Sequence, residues 1–228
     1  MSLFKKLPPE AKMVLLAILI GGLAFLGLRA GLKSFLNQKE IPKDLLGVVL
    51  PSPRDLPDFL LTDHLGKTFD KARFRGKWSF LFFGYTHCPD ICPVTMGLMA
   101  DVFKKLEKHP QVLKSIQGVF VSVDAKRDQP ESLKNFVVYF YKDFIGVTGD
   151  DDNIKSLTDS LGVAYRLSAP ETDGSYLISH SSGIYLVDPD GRFHALFQPQ
   201  FHNADKIVSY FLEMMKSYGE QTQKDGRT

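Results

Sequence analysis

The chain has two cysteines, Cys88 and Cys92, with three residues between them in Gly84-Tyr85-Thr86-His87-Cys88-Pro89-Asp90-Ile91-Cys92-Pro93. Two cysteines are too few for a structural framework. The pair lies where an apolar run, Trp78 to Phe83, gives way to helical spacing at Val94, Leu98, Val102, Phe103 and Leu106. A strand running into a helix there would place Cys88 in the loop and Cys92 near the first helical turn. Open N–H groups and the positive dipole end favour thiolate at that place. The spacing therefore predicts two facing, partly exposed sulfurs with depressed pKa values. Pro93 suits an early helical position, where its missing N–H removes nothing. At helical i,i+4 spacing the Cα atoms would be about 6 Å apart, inside the disulfide range. Such a pair can close. Reduced, it can also grip a soft ion, since two thiolates select copper(I) or zinc over hard cations. Structural zinc would need four ligands, and no second cysteine pair completes them.

Other residues carry weaker signals. His180, in Tyr176-Leu177-Ile178-Ser179-His180-Ser181-Ser182, precedes the strand running to Val187 and could add a nitrogen ligand. By spacing alone it reads better as an ordinary polar residue. His87 could tune Cys88; His64, His109, His194 and His202 read as solvated. Met96 and Met99 read as core. Asp150-Asp151-Asp152 reads as helix capping. Asp188-Pro189-Asp190-Gly191 reads as a turn, since the spaced ligands of a calcium loop are absent.

The elements that must hold these groups begin near residue 55. A hairpin is expected over Phe59–Thr62 and His64–Phe69. Strands follow at Trp78–Phe83, Gly118–Val123 and Phe144–Thr148, and helices at Cys92–Leu106, Pro130–Phe140 and Asp150–Leu161, the last stopped by Gly162. Ser182–Val187 and Arg192–Phe197 form a second hairpin, and Ala204–Tyr218 is the closing helix. Alternating strands and helices predict an α/β domain with a largely parallel central sheet and flanking helices. Composition agrees, with 44% apolar and 24% charged residues. The net charge of +2 comes without a basic stripe, which excludes nucleic acid as the expected partner.

Met13 to Leu28 is a different kind of segment, sixteen residues without a charge. As a helix it spans about 24 Å, and Ala30 to Leu32 can extend it toward the roughly 30 Å of a bilayer core while Arg29 snorkels. The segment Leu28-Arg29-Ala30 makes a poor cleavage site, so an uncleaved transmembrane anchor is preferred to a signal peptide. Flanking charge ties, Lys5, Lys6 and Lys12 against Arg29, Lys33 and Lys39, and only the basic amino terminus tips the chain toward N-inside. The expected organisation is a cytoplasmic tail at 1–12, an anchor at 13–32, a tether at 33–54, one domain at 55–218 and a polar, frayed tail at 219–228.

Three segments together resemble the Sco/SenC family: F-F-G-Y-T-H-C-P-D-I-C-P-V-T (82–95), V-S-V-D-A-K-R-D (121–128) and S-H-S-S-G-I-Y-L-V-D-P-D-G (179–191). The resemblance implies a thioredoxin-like fold, in its peroxiredoxin-like variant, on a single N-terminal transmembrane helix. It implies copper, as Cu(I) or Cu(II), held by Cys88, Cys92 and His180. Asp90 would be the acid of the cysteine motif and Asp124 a nearby acid. The implied role is to deliver copper to, or reduce the cysteines of, the CuA site in subunit II of cytochrome c oxidase. Another copper donor or a thiol reductant would be a further partner, and the domain would lie in the bacterial periplasm or mitochondrial intermembrane space. Ala125 stands where the family often has Pro, and Ser179 where many members have Asp. Thioredoxin-type exchangers place a cis-Pro at the position that holds Ser179-His180-Ser181 here, which argues for metal. The rivals are a thiol–disulfide reductase with Cys88 attacking and Cys92 resolving, a redox sensor, a plain local disulfide, and a peroxidase, whose P-x-x-x-T-x-x-C loop is not present.

Overall fold

The structure, a computed structural model, describes residues 8–36, 45, 47–170, 172 and 174–224. It forms two compact units, Met1–Pro42 and Lys43–Thr228. The expected tail at 1–12, tether at 33–54 and polar tail at 219–228 fall in part on 1–7, 37–44, 46 and 225–228, outside the described residues.

Among the described residues the first unit holds one helix, α1 (Pro9–Leu36), which contains the expected span at 13–32. Leu16, Leu19, Leu23, Leu26 and Leu28 are each more than half exposed. Counted over the described residues alone, no helix is long and apolar enough to cross a membrane. The side chains of α1 at 9, 12, 14, 17 and 30–36 lie outside that set.

The second unit is built on ten strands: β1 (Val49–Asp55), β2 (Leu60–Asp63), β3 (Thr68–Asp70), β4 (Trp78–Gly84), β5 (Ile116–Ser122), β6 (Ile145–Thr148), β7 (Tyr165–Leu167), β8 (Ile178–His180), β9 (Ile184–Val187) and β10 (Arg192–Phe197). Its helices are α2 (Ile91–Leu106), α3 (Pro110–Lys114), α4 (Pro130–Phe140), α5 (Asp151–Leu161) and α6 (Ala204–Lys224). Eight strands form one sheet in the order β1-β10-β9-β4-β5-β6-β2-β3, while β7 and β8 pair separately. β4 and β5 lie at its centre with all seven residues of each buried, as strands covered on both faces and mostly apolar should be. Each large side chain fully buried there, such as Phe80, Phe82, Phe83 and Phe120, contributes about 1.5–3 kcal/mol. α2 packs on α6, α4 on β6 and α5 on β2.

The α/β class and the flanking helices agree with the sequence reading, but the sheet is mixed. Only β4, β5 and β6 run parallel. β9 is antiparallel to β10, because the tight Asp188–Gly191 turn can join only antiparallel neighbours, and it is antiparallel to β4 as well. Gly191 takes φ 81° there. β1, read as tether, pairs with β10 at the sheet edge. Pro51 and Pro53 make it look like a linker, yet an edge strand tolerates the missing N–H groups. α6 runs on to Lys224 instead of fraying from Gly219.

Three of the histidines expected to be solvated are half-buried with partners. Gly146 N–H donates to His64 Nδ1 at 2.9 Å, His194 packs edge-on to Trp78 at 5.0 Å, and His202 Nε2 lies 3.2 Å from the Phe197 carbonyl. Met96 and Met99 are core, and Asp150 caps α5 by accepting from Asn153 N–H, as expected.

Candidate metal centre

β4 ends at Gly84, inside the core, and the chain leaves through buried Tyr85 into the loop that carries Cys88. α2 starts at Ile91, so Cys92 is its second residue and Pro93 its third, where the four leading N–H groups have no intrahelical partner anyway. The loop is pinned from below by Asp128, which is fully buried. Its carboxylate accepts from Thr86 N–H at 2.8 Å, Thr86 Oγ1 at 2.5 Å and Ser122 Oγ at 2.6 Å.

Cys92 is wholly buried and Cys88 half-buried, both as free thiols. The expectation of two partly exposed, depressed thiols is thus corrected at Cys92. Burial pushes its pKa well above the ordinary thiol range, the Cys88 sulfur adds to this, and a backbone hydrogen bond from Tyr85 opposes it. The helix start does not prevail because the sulfur is turned into the core. A Cβ on Gly84 would stand 2.5 Å from Cys92 Sγ, so the missing side chain is the space the sulfur occupies. A cation held here would take the place of the proton, so metal loading would release acid.

The third donor arrives from outside the main sheet. His180 closes β8, which pairs with β7 through Tyr165↔His180, Arg166↔Ser179 and Leu167↔Ile178. Its Nε2 lies 3.2 Å from Cys92 Sγ. Its Nδ1, 3.0 Å from the Ser181 carbonyl, donates there, which leaves the Nε2 lone pair facing the sulfur. Burial lowers the His180 pKa, and this keeps the ring neutral and able to ligate. Phe82 and Tyr85 hold the ring edge-on at 5.8 and 6.0 Å between centroids.

The ligating atoms of Cys88, Cys92 and His180 all lie within 4.8 Å of one another. Three donors with bonds near 2.2 Å around one ion are about 3.8 Å apart, so shifts of about 1 Å or less, with the 3.2 Å Cys92–His180 edge opening slightly, would close the set. Two sulfurs and one nitrogen suit copper in either oxidation state.

The remaining candidates lie elsewhere. Asp90 is exposed at the helix start and makes no capping bond. Asp124 is buried but holds Arg127 and Tyr176 rather than a sulfur. His87 is turned to Thr86 Oγ1 at 3.1 Å and Asp128 at 3.5 Å. Ser179 is exposed on the face of β8 opposite His180, and Ala125 packs on the core edge. Sequence reading missed Gly84 and Asp128. A glycine ending a buried strand is a signal of close approach; Asp128 gave none beyond its place in the quoted segment.

Comparison with known proteins gives a consistent set of matches. The sequence model of SCO1/SenC matches residues 51–216. "Protein SCO2 homolog, mitochondrial" from Homo sapiens is 40% identical over 136 residues, covering 60% of this chain and 51% of that protein. A "SCO2-like protein" from Rickettsia felis is 39% identical over 137 residues, covering 60% and 65%. The match thus spans about half to two thirds of the length of these relatives. Among solved structures, "ScoI with copper bound" from Arabidopsis thaliana superposes with a TM-score of 0.66 at 33% identity, covering 71% of this chain and 98% of that one.

Proposed function

The chain belongs to the SCO1/SenC family, and from that premise we propose that it is a membrane-anchored copper chaperone. Cys88, Cys92 and His180 bind one copper ion as cargo. The observation that carries this reading is the convergence of two thiols and one neutral imidazole within 4.8 Å. Cys88 is the accessible ligand and Cys92 the buried one, so an acceptor thiolate adds from the Cys88 side and displaces it first. By ligand exchange of this kind the ion is never left bare. The acceptor that the family resemblance implies is the CuA site in subunit II of cytochrome c oxidase. The anchor rests on the uncharged run from Met13 to Leu28 and on its outward-facing leucines in α1. The domain is then extracytoplasmic, in the periplasm or the intermembrane space.

Anaerobic copper titration tests the ligand set. Wild type takes up one equivalent, and Cys88→Ser and His180→Ala bind more weakly. Equal affinity in all three refutes the assignment. Resistance of the full chain to alkaline extraction from membranes tests the anchor, and release of the chain by alkali alone refutes it.

The pairing of an accessible Cys88 with a buried Cys92 favours a second reading, thiol–disulfide exchange with Cys88 attacking and Cys92 resolving. Activity that survives His180→Ala but not Cys88→Ser supports it.

A further inference from the structure

We propose that Arg127, together with Asp124 and Tyr176, is a positioning clamp that keeps His180 on the sulfur pair and thereby sets affinity for copper(II) rather than copper(I). The inference rests on the ligand assignment of the preceding section.

His180 belongs to a hairpin that lies outside the eight-stranded sheet. Three-residue strands hold little register by themselves, and Arg166, Leu167, Ser168 and Ala169 on its first arm are exposed. The bonds between Ala164 and Ser181 close the hairpin on itself without fixing it to the cysteines. Buried Ile178 anchors its second arm in the core beside β4, and a further tie, on the residues just before β8, comes from the loop after β5. Arg127 Nη1 donates to the Tyr176 carbonyl at 2.9 Å, and its Nε donates to Asp124 Oδ2. Tyr176 Oη donates to Asp124 Oδ1 at 2.7 Å. The guanidinium lies 3.7 Å from the Tyr176 ring centroid and 5.3 Å from that of Tyr85. Tyr85 in turn accepts from Ile178 N–H at 3.2 Å and packs on the His180 ring. Residues 176 and 178 are therefore both fixed through Arg127 and its neighbours, and His180 follows two positions later. Tyr85 is at the same time the first residue of the cysteine loop, so one guanidinium couples the two halves of the site.

Ligand chemistry separates this role from general support of the fold. Copper(I) is satisfied by two thiolates, whereas copper(II) gains from imidazole. A displaced His180 weakens copper(II) selectively; a loosened fold weakens both.

The test uses the full chain in detergent, with Arg127→Lys and Tyr176→Phe made alone and in a His180→Ala background. Copper(I) affinity is read by chelator competition, and copper(II) affinity by the sulfur-to-copper charge-transfer band. Each single variant is expected to lose about tenfold in copper(II) affinity, the scale of an outer-shell change, with copper(I) affinity unchanged. Neither adds a loss when His180 is already alanine. Equal losses in both oxidation states, or a further loss in the His180→Ala background, overturn the clamp alone. Copper(II) affinity that is the same in wild type and His180→Ala overturns the ligand assignment and the clamp with it.

Discussion

Gly84→Ala is the smallest change that should disable the centre. The added Cβ would stand 2.5 Å from Cys92 Sγ and 3.1 Å from Phe120 Cε2. Ordinary contact lies near 3.5–4.0 Å, so about 1 Å of relief is needed. Cys92 and Phe120 are both wholly buried and have no free volume to yield. The sulfur must turn away, and the 3.2 Å approach to His180 is lost with it. Overpacking of this kind costs about 1–3 kcal/mol, which lowers the melting temperature of a domain this size by about 2–12 °C. Gly97→Ala is the matched control. It lies inside α2 with nothing within 4 Å of its Cβ position, and there alanine should stabilise by about 0.5–1 kcal/mol. Circular dichroism melts and anaerobic copper(I) titration of both variants are the assay. If Gly84→Ala melts no lower than wild type and takes up copper with unchanged affinity, the sulfur does not depend on that space and the geometry argued here is wrong.

Asp128→Ala removes the acceptor of Thr86 N–H, Thr86 Oγ1 and Ser122 Oγ. At about 1–3 kcal/mol for the buried Ser122 hydroxyl left unpaired, with a smaller share from the half-buried Thr86 groups, urea unfolding should register a clear loss of stability. Asp128→Asn should recover part of it. Acid should destabilise the metal-free chain through His64, His180 and His202, whose pKa values burial lowers from the ordinary value of 6.5. A base held neutral in the fold contributes stability that is full above the unfolded pKa and is lost as pH falls through the lower folded value. Melting temperature should therefore drop between about pH 7 and pH 5. The drop should shrink in His64→Gln, which keeps an acceptor for Gly146 N–H; an equal drop in the variant counts against this origin. Copper loading at neutral pH should release protons, because the Cys92 thiol is held protonated by burial. Unbuffered titration with a pH indicator reads the release, and its absence would mean that the thiol is already ionised.

Much of the architecture was legible because it is encoded over short distances. The aromatic run of β4, the 3.6-residue spacing of α2 and α4, and the glycine that stops α5 are each properties of a few neighbouring residues. β1 was not legible, since its two prolines carry the mark of a linker and only pairing with β10 makes it a strand. The β7–β8 hairpin escaped for a similar reason, as three-residue strands amid exposed polar residues have no period to detect. Parallel order was overread. Alternation of strands and helices says which elements occur, but not that β9 and β2 join β4 and β6 antiparallel, since those neighbours are remote in sequence.

The cysteine pair, its place between a buried strand and a helix, and the uncharged run near the amino terminus were determined by sequence alone. The histidine was a candidate nitrogen ligand from the sequence, but spacing alone favoured an ordinary polar residue and only the resemblance to a known family singled it out. Tertiary structure decided that an imidazole 88 positions away from Cys92 meets its sulfur. It decided too that this sulfur lies in the core and keeps its proton. Both depend on which groups share an enclosed volume, and burial of that kind is a property of the packed chain that no short stretch of residues contains.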